Sequence, residues 1–206
     1  MNPVGEAEPP RGLVDGIARA WRAPRRAMAA EVAAGLSERR ALLHLLLACG
    51  LLFVASLPMA VRSSAGLAVD EPVSAAVSAH LFAWGALAPL LGYAMAAAVQ
   101  LAARAFGGHG GFLGARAALF WSALAAAPAA LAVSVIGALG TVLAGRVLPQ
   151  LAWLAFPAFG LWVWIFAASL AETQGFASTG RVAGAVVLVL LAIVALAEYA
   201  SRHGVR

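Results

Sequence analysis

Five stretches of this chain pass without a single aspartate, glutamate, lysine or arginine: Ala41–Val61, Ser74–Ala102, Ala117–Leu139, Leu151–Ala171 and Val182–Ala197. Each approaches or exceeds the ~20 residues that cross ~30 Å of hydrocarbon as a helix. Backbone in lipid must satisfy its own N–H and C=O groups, which leaves only helices or a closed barrel. No period-two alternation runs through these stretches, so the reading is helical. The fold class that follows is all-α and integral to a membrane, with five transmembrane helices. Composition agrees, because 11% of the 206 residues are charged, against ~25% in ordinary soluble domains. No cleavable leader is expected, since the first apolar run begins only at Ala41, and the first span is read as a retained anchor.

Ahead of the first span the chain changes character twice. Residues 1–12 hold Pro3, Gly5, Pro9, Pro10 and two glutamates with little to bury, and read as a disordered tail. Residues 13–40 read as a cytoplasmic amphipathic segment. Leu13, Ile17 and Trp21 recur at helical spacing with Arg19 and Arg22 off that line; Pro24 interrupts; Met28 and Val32 then resume beside Arg25 and Arg26. Two short helices lying on an anionic leaflet would place Trp21, Arg22, Arg25 and Arg26 against headgroups. Packing on the protein's own end is the open alternative. Ser37 is placed to cap the first span, with Glu38 in its first turn. Residues 41–200 form the expected five-helix domain, and 201–206 a short C-terminal tail.

Orientation rests on arginine, the only basic residue besides histidine. The side of the membrane that holds the N-terminus carries ten arginines, and the other side four: Arg62, Arg146, Arg202 and Arg206. The positive-inside rule then places the N-terminus in the cytoplasm and the C-terminus outside. The absence of lysine and the abundance of alanine suggest a GC-rich bacterial genome, hence a bacterial inner membrane with a periplasmic C-terminus. No basic stripe with interleaved aromatics accompanies the high pI, so nucleic acid is not an expected partner.

Few side chains offer chemistry. A single cysteine, Cys49, excludes an intramolecular disulfide and any cysteine-cluster metal site. His44 and His80 lie near opposite ends of their spans, more than ~15 Å apart along the membrane normal, too far for shared haem ligation. No cofactor is expected. The middle third of every span lacks an ionisable residue, which disfavours ion-coupled transport. Asp70 and Glu71 read as a solvated turn. Pro58, Pro89, Pro128 and Pro157 read as kinks that neighbouring helices tolerate. Gly180 and Gly184 form a GxxxG that would let helices approach closely. No hydrolase, zinc-protease or phosphate-loop motif is present, and the chain is not read as an enzyme.

Three segments carry a family likeness: "RAPRRAMAAEVAAGLSERRALLH" before the first span, "FGGHGGFLGARAALFW" from Phe106 to Trp121, and "LAETQGFAS" from Leu170 to Ser178. In order and flavour they resemble the bacterial branch of the Yip (Ypt-interacting protein) domain family, over about residues 20–200. The resemblance implies five spans and a cytoplasmic N-terminus, and offers no catalytic residues. Eukaryotic members contact Rab-type GTPases, but the D-L-Y-G-P-like segment of those members is replaced here by "LLGYAM", Leu90–Met95. GTPase binding is therefore not carried over.

Within that frame Glu172 falls at the cytoplasmic end of the fourth span, where the helix dipole disfavours an anion by ~0.3–1 kcal/mol. The expectation is a clasp with Arg116 or Arg104, followed by Gly175 as helix stop and Ser178 or Thr179 as the next cap. Function reads as non-enzymatic: an inner-membrane protein acting by helix packing, oligomerisation with itself or another membrane protein, or other partner binding, with the bilayer as its medium. Two alternatives stand beside it. One is a small transporter lined by Ser134, Thr141, Gln100 and His80. The other is an accessory subunit of a respiratory or photosynthetic complex.

Overall fold

The computed structural model describes residues 12–66 and 68–203. Regular structure among them is helical: α1 (Leu13–Arg22), α2 (Pro24–Ala33), α3 (Glu38–Ser64), α4 (Pro72–Phe82), α5 (Ala88–Ala105), α6 (Phe112–Ala144), α7 (Ala155–Gln174) and α8 (Thr179–His203). A π-helical turn, Ala83–Leu87, joins α4 to α5, and a 3-10 stretch, Pro149–Leu154, leads into α7. Five helical lengths are long and apolar enough to cross a membrane: α3, Pro72–Ala105, α6, Pro149–Gln174 and α8 as far as Arg202. They contain the five uncharged stretches and overrun each at both ends. The helices continue past the hydrocarbon edge through residues such as Glu38, Arg62, Arg104, Arg116 and Glu172, which an apolar count leaves out. Residues 1–11 of the expected disordered tail lie outside the described residues. The tail expected at 201–206 begins inside α8, and 204–206 lie outside the described residues.

Local chemistry sets the helix ends. Ser37 accepts a hydrogen bond from the Arg40 amide at 3.3 Å, heading α3 with Glu38 in its first turn. Ser178 accepts one from the Arg181 amide at 3.4 Å at the start of α8. Gly145 (φ 63°) and Gly175 (φ 77°) close α6 and α7 in the left-handed region that glycine enters without a Cβ penalty. Pro89 explains the π turn. It has no N–H, and its ring crowds the carbonyl four residues back. Just before it the register slips, with the Ala88 amide reaching the Ala83 carbonyl.

α6 is the central element, packed against α3 and α7 with α5 as a further neighbour. Its proximal half, Gly114–Ala127, is largely buried, and Phe120, Trp121 and Leu124 are almost wholly enclosed. α4 lies on α3, and α8 on α7. The end bearing α1, α2 and the 106–111 and 175–178 loops is termed proximal; the end bearing Arg62 and Arg146 is distal.

α1 and α2 settle onto the bundle. Gly16, Ala20, Pro24, Ala27, Met28 and Glu31 are buried. Ala20, Ala27 and Met28 share one core cluster with Ala48 of α3, Trp121 and Ala125 of α6 and Ile165 of α7. The buried face of α1 is thus shifted from the expected apolar line towards Gly16 and Ala20. Leu13 and Trp21 are 44% and 42% exposed, Ile17 packs against the cluster, and Gly16 and Ala20 beside it are the residues fully buried. The reason is steric: a Cβ on Gly16 would stand 3.0 Å from Cη2 of Trp121. Only a side-chain-free surface lets α1 lie against that indole.

Candidate functional site

The proximal end gathers most of the protein's ionic and polar contacts. Arg25, in the first turn of α2, directs its guanidinium at the C-terminal end of α7. Its Nε lies 2.7 Å from Glu172 Oε2, while Nη1 donates to the Ala177 carbonyl (3.1 Å) and Nη2 to that of Phe176 (3.0 Å). Helix C-termini leave carbonyls without amide partners and carry partial negative charge. A planar guanidinium with donors on three sides meets a carboxylate and two carbonyls at once, which a single ammonium could not do in this geometry.

This corrects the expected clasp. Glu172 pairs with Arg25, and neither Arg116 nor Arg104 is its partner. Arg116 instead forms an ion pair with Glu38 at the start of α3, and its guanidinium lies 5.4 Å from the centre of the Tyr93 ring. Arg104 sits 5.1 Å over the ring of Phe112. The expectation considered only loop arginines because the arginines of α1 and α2 were assigned to headgroups. Arg25 directs its guanidinium at protein groups: Glu172 and the Phe176 and Ala177 carbonyls. Trp21 is also drawn inward, its indole Nε1 donating to the Ala125 carbonyl at 2.7 Å. Arg22 and Arg26 remain exposed.

A second ion pair joins α2 to α3: Arg40 Nε stands 3.2 Å from Glu31 Oε2. The Glu31 side chain is almost fully enclosed. Burial raises its pKa above the ordinary carboxylate value, and the Arg40 charge opposes that rise without cancelling it. Beside this pair the His44 ring lies tilted against Trp121, ring centres 5.1 Å apart.

Beneath the ionic layer lies a closed amide knot. Gln174 Nε2 donates to Gln100 Oε1 (2.8 Å), and Gln100 Nε2 donates to the Gly110 carbonyl (2.7 Å). The His109 amide returns to the Gln174 carbonyl at 3.0 Å. Both glutamines are buried. The knot fixes the 106–111 loop between the ends of α5 and α7. It also explains the glycines there: a Cβ on Gly110 would lie 2.3 Å from the Thr173 carbonyl oxygen. Sequence reasoning did not single out Gln174, although a glutamine one residue before a helix-stopping glycine was a visible signal.

The other expected site residues disperse. Gln100 belongs to the knot, His80 Nδ1 lies 2.9 Å from its own helix's Ala76 carbonyl, and Ser134 and Thr141 face the distal half. They do not form one polar path. Gly184 has nothing within 4 Å of a hypothetical Cβ, and Gly180 meets only the nearby Ser178 hydroxyl at 3.9 Å. The expected packing role of this GxxxG is therefore not realised against another helix among the described residues.

Comparison with known proteins gives one match: the family model described as Yip1 domain covers residues 18–198. Neither a curated protein nor a solved structure matches the chain.

Proposed function

Because the chain belongs to the Yip1 domain family and is a multi-pass membrane protein, we propose that it acts without catalysis, as a membrane-organising protein that binds partners through its proximal surface. The membrane is a bacterial inner membrane, with the N-terminus cytoplasmic and the C-terminus periplasmic. The excess of arginines on the proximal side supports this orientation. The observation that carries the functional reading is the anchoring of α1 and α2. With Arg25 committed to Glu172 and two carbonyls, the segment forms a fixed platform rather than a free arm. Arg22, Arg26, Arg39, Arg104 and Arg181 stay exposed around it. Such a preformed basic surface suits acidic partner segments and anionic headgroups, and loses little entropy on binding.

Two measurements test this. A photo-crosslinker at Arg26 or Arg181 in intact membranes gives discrete adducts, which Arg25→Ala weakens by releasing the platform. The full chain in proteoliposomes gives no saturable solute uptake. Saturable uptake abolished by a substitution in the helical core would establish the transporter reading instead. Stable co-migration with a respiratory or photosynthetic complex would establish the accessory-subunit reading.

A further inference from the structure

The cleft between α3 and α7, with α6 as its floor, is filled differently in its two halves. In the proximal half Ala20, Ala27 and Met28 of α1 and α2 occupy it. Past Ala125 neither α1 nor α2 continues, and the 147–152 connection lines only the far distal end. The distal half is an open groove of about 900 Å³, floored by Ala127, Ala130 and Gly137 and walled by Leu52, Ala155 and Trp162. Its size lies within the ~300–1,000 Å³ typical of ligand pockets. The floor is open because most of its residues are alanine or glycine, whose side chains cannot fill the space.

We propose that this groove holds one acyl chain of an anionic phospholipid from the distal leaflet, with the lipid phosphate at Arg62. Three observations select that occupant. First, the lining has no free polar group to hold water or a hydrophilic solute in its depth. Ser134 Oγ donates to the Ala55 carbonyl (2.6 Å), and Thr141 Oγ1 donates to the Gly137 carbonyl (2.8 Å). A water site needs several polar partners; an alkyl chain needs none.

Second, charge stands only at the distal rim. Arg62 lines the groove, and its Nη2 lies 3.9 Å from the Met59 sulfur. No carboxylate pairs with it among the described residues, so its guanidinium is available to a phosphate, which it matches in geometry. Third, the dimensions agree. From Arg62 to Leu52 along α3 is ten residues, about 15 Å at the helical rise, which is half of a ~30 Å hydrocarbon core. One leaflet-deep chain therefore spans the groove when its phosphate is level with Arg62. A soluble anion would leave the groove empty, and a lipid without a phosphate would leave Arg62 unpaired.

The experiment uses the full chain, purified in detergent and stripped of lipid, and titrates it with dioleoyl phosphatidylglycerol while following thermal unfolding. Two fragments of that lipid serve as comparisons: diolein, which has the chains without phosphate, and glycerol 3-phosphate, which has the phosphate without chains. The intact lipid is expected to raise the melting temperature saturably, and neither fragment to do so. Arg62→Gln weakens the apparent affinity about tenfold or more, the loss of a charge-assisted hydrogen bond, and Ala130→Phe abolishes the shift by filling the floor. Because Ala130→Phe could impair folding, a second measurement stands apart from it. Phosphatidylglycerol with a diazirine near the end of one chain labels wild-type peptides containing Leu52, Ala127 or Trp162, and unlabelled lipid competes. Saturation by glycerol 3-phosphate alone overturns the proposal, as does an affinity unchanged by Arg62→Gln. Labelling spread over the outer faces of α4, α5 and α8 overturns it equally.

Discussion

Arg25 and Glu172 stand 147 positions apart in sequence and 2.7 Å apart in space. That contact fixes the start of α2 to the end of α7, and the Phe176 and Ala177 carbonyls share the same guanidinium. The two halves of the interaction are separable. Removing the arginine strands a carboxylate and two carbonyls, whereas removing the carboxylate charge leaves the arginine its carbonyls. Both side chains are partly exposed (42% and 29%), so water moderates the loss. Arg25→Ala is expected to cost about 1–2 kcal/mol, and Glu172→Gln less than half of that. Thermal unfolding in detergent measures the difference, and limited proteolysis shows α1 and α2 released in the arginine variant. Equal costs for the two variants would contradict the shared-guanidinium geometry.

The 106–111 loop gives a sharper steric test. A methyl at Gly110 would meet the Thr173 carbonyl oxygen, on the backbone of α7, at 2.3 Å and the Gln174 amide, held by the glutamine knot, at 2.8 Å. The first can yield only by moving helix backbone and the second only by breaking a buried hydrogen bond, so Gly110→Ala is expected to cost about 3 kcal/mol or more. Gly111, next in the chain, has nothing within 4 Å of its Cβ position. Its φ of −94° suits any residue. Gly111→Ala is expected to stay within ~0.5 kcal/mol of the parent. The pair of melting curves checks both statements at once.

How much of this was legible in the sequence follows from the kind of signal each feature leaves. The five spans were readable because lipid demands long uncharged helices, and that demand writes itself into consecutive residues. Ser37 and Gly175 were readable for the same local reason, since a cap or a stop needs one residue type at one position. The partner of Glu172 was not readable. Charge assigns sign to a pairing but no address, and Arg25, Arg104, Arg116 and Arg181 are equivalent until the packing of α1 and α2 is known. That packing was itself obscured, because Gly16 and Ala20 make a contact face without contributing to any apolar pattern. The distal groove was equally hidden: it is a space between helices far apart in sequence, and small residues there look like those of any alanine-rich span.

Glu31 supplies the pH dependence. Its folded pKa is raised above the unfolded value near 4.5, chiefly by burial, with Arg40 pulling the other way. A carboxyl of that kind binds its proton more tightly in the folded protein. Its contribution to stability is therefore complete below the unfolded pKa and is lost as pH rises through the folded one. Wild type is thus expected to gain stability relative to Glu31→Gln as pH falls from 7 towards 4.5. The quantity to measure is the difference in melting temperature between the two proteins across that range, which cancels groups common to both. A difference that stays flat, or moves the other way, would mean that the Arg40 pairing outweighs burial.

The two glycine sites that bracket the chain call for opposite outcomes from one substitution. At Gly16 the added Cβ would already stand 3.0 Å from Cη2 of Trp121, and that indole is itself enclosed and packed against the His44 ring. Gly16→Leu therefore has to lift α1 from α6, breaking the Trp21–Ala125 hydrogen bond as it does so. The expected result is a loss of about 2–4 kcal/mol, between overpacking and detachment, with α1 open to protease. At Gly184 the same change meets open space, and the folded monomer is expected to lose no more than ~0.5 kcal/mol. Sedimentation in detergent separates intramolecular from intermolecular roles at this second site. An oligomer that dissociates on Gly184→Leu, with the melting curve of the monomer unchanged, would locate a helix–helix interface between copies on that face of α8. Unchanged assembly would leave Gly180 and Gly184 as lipid-facing residues, their spacing a by-product of a chain rich in glycine and alanine.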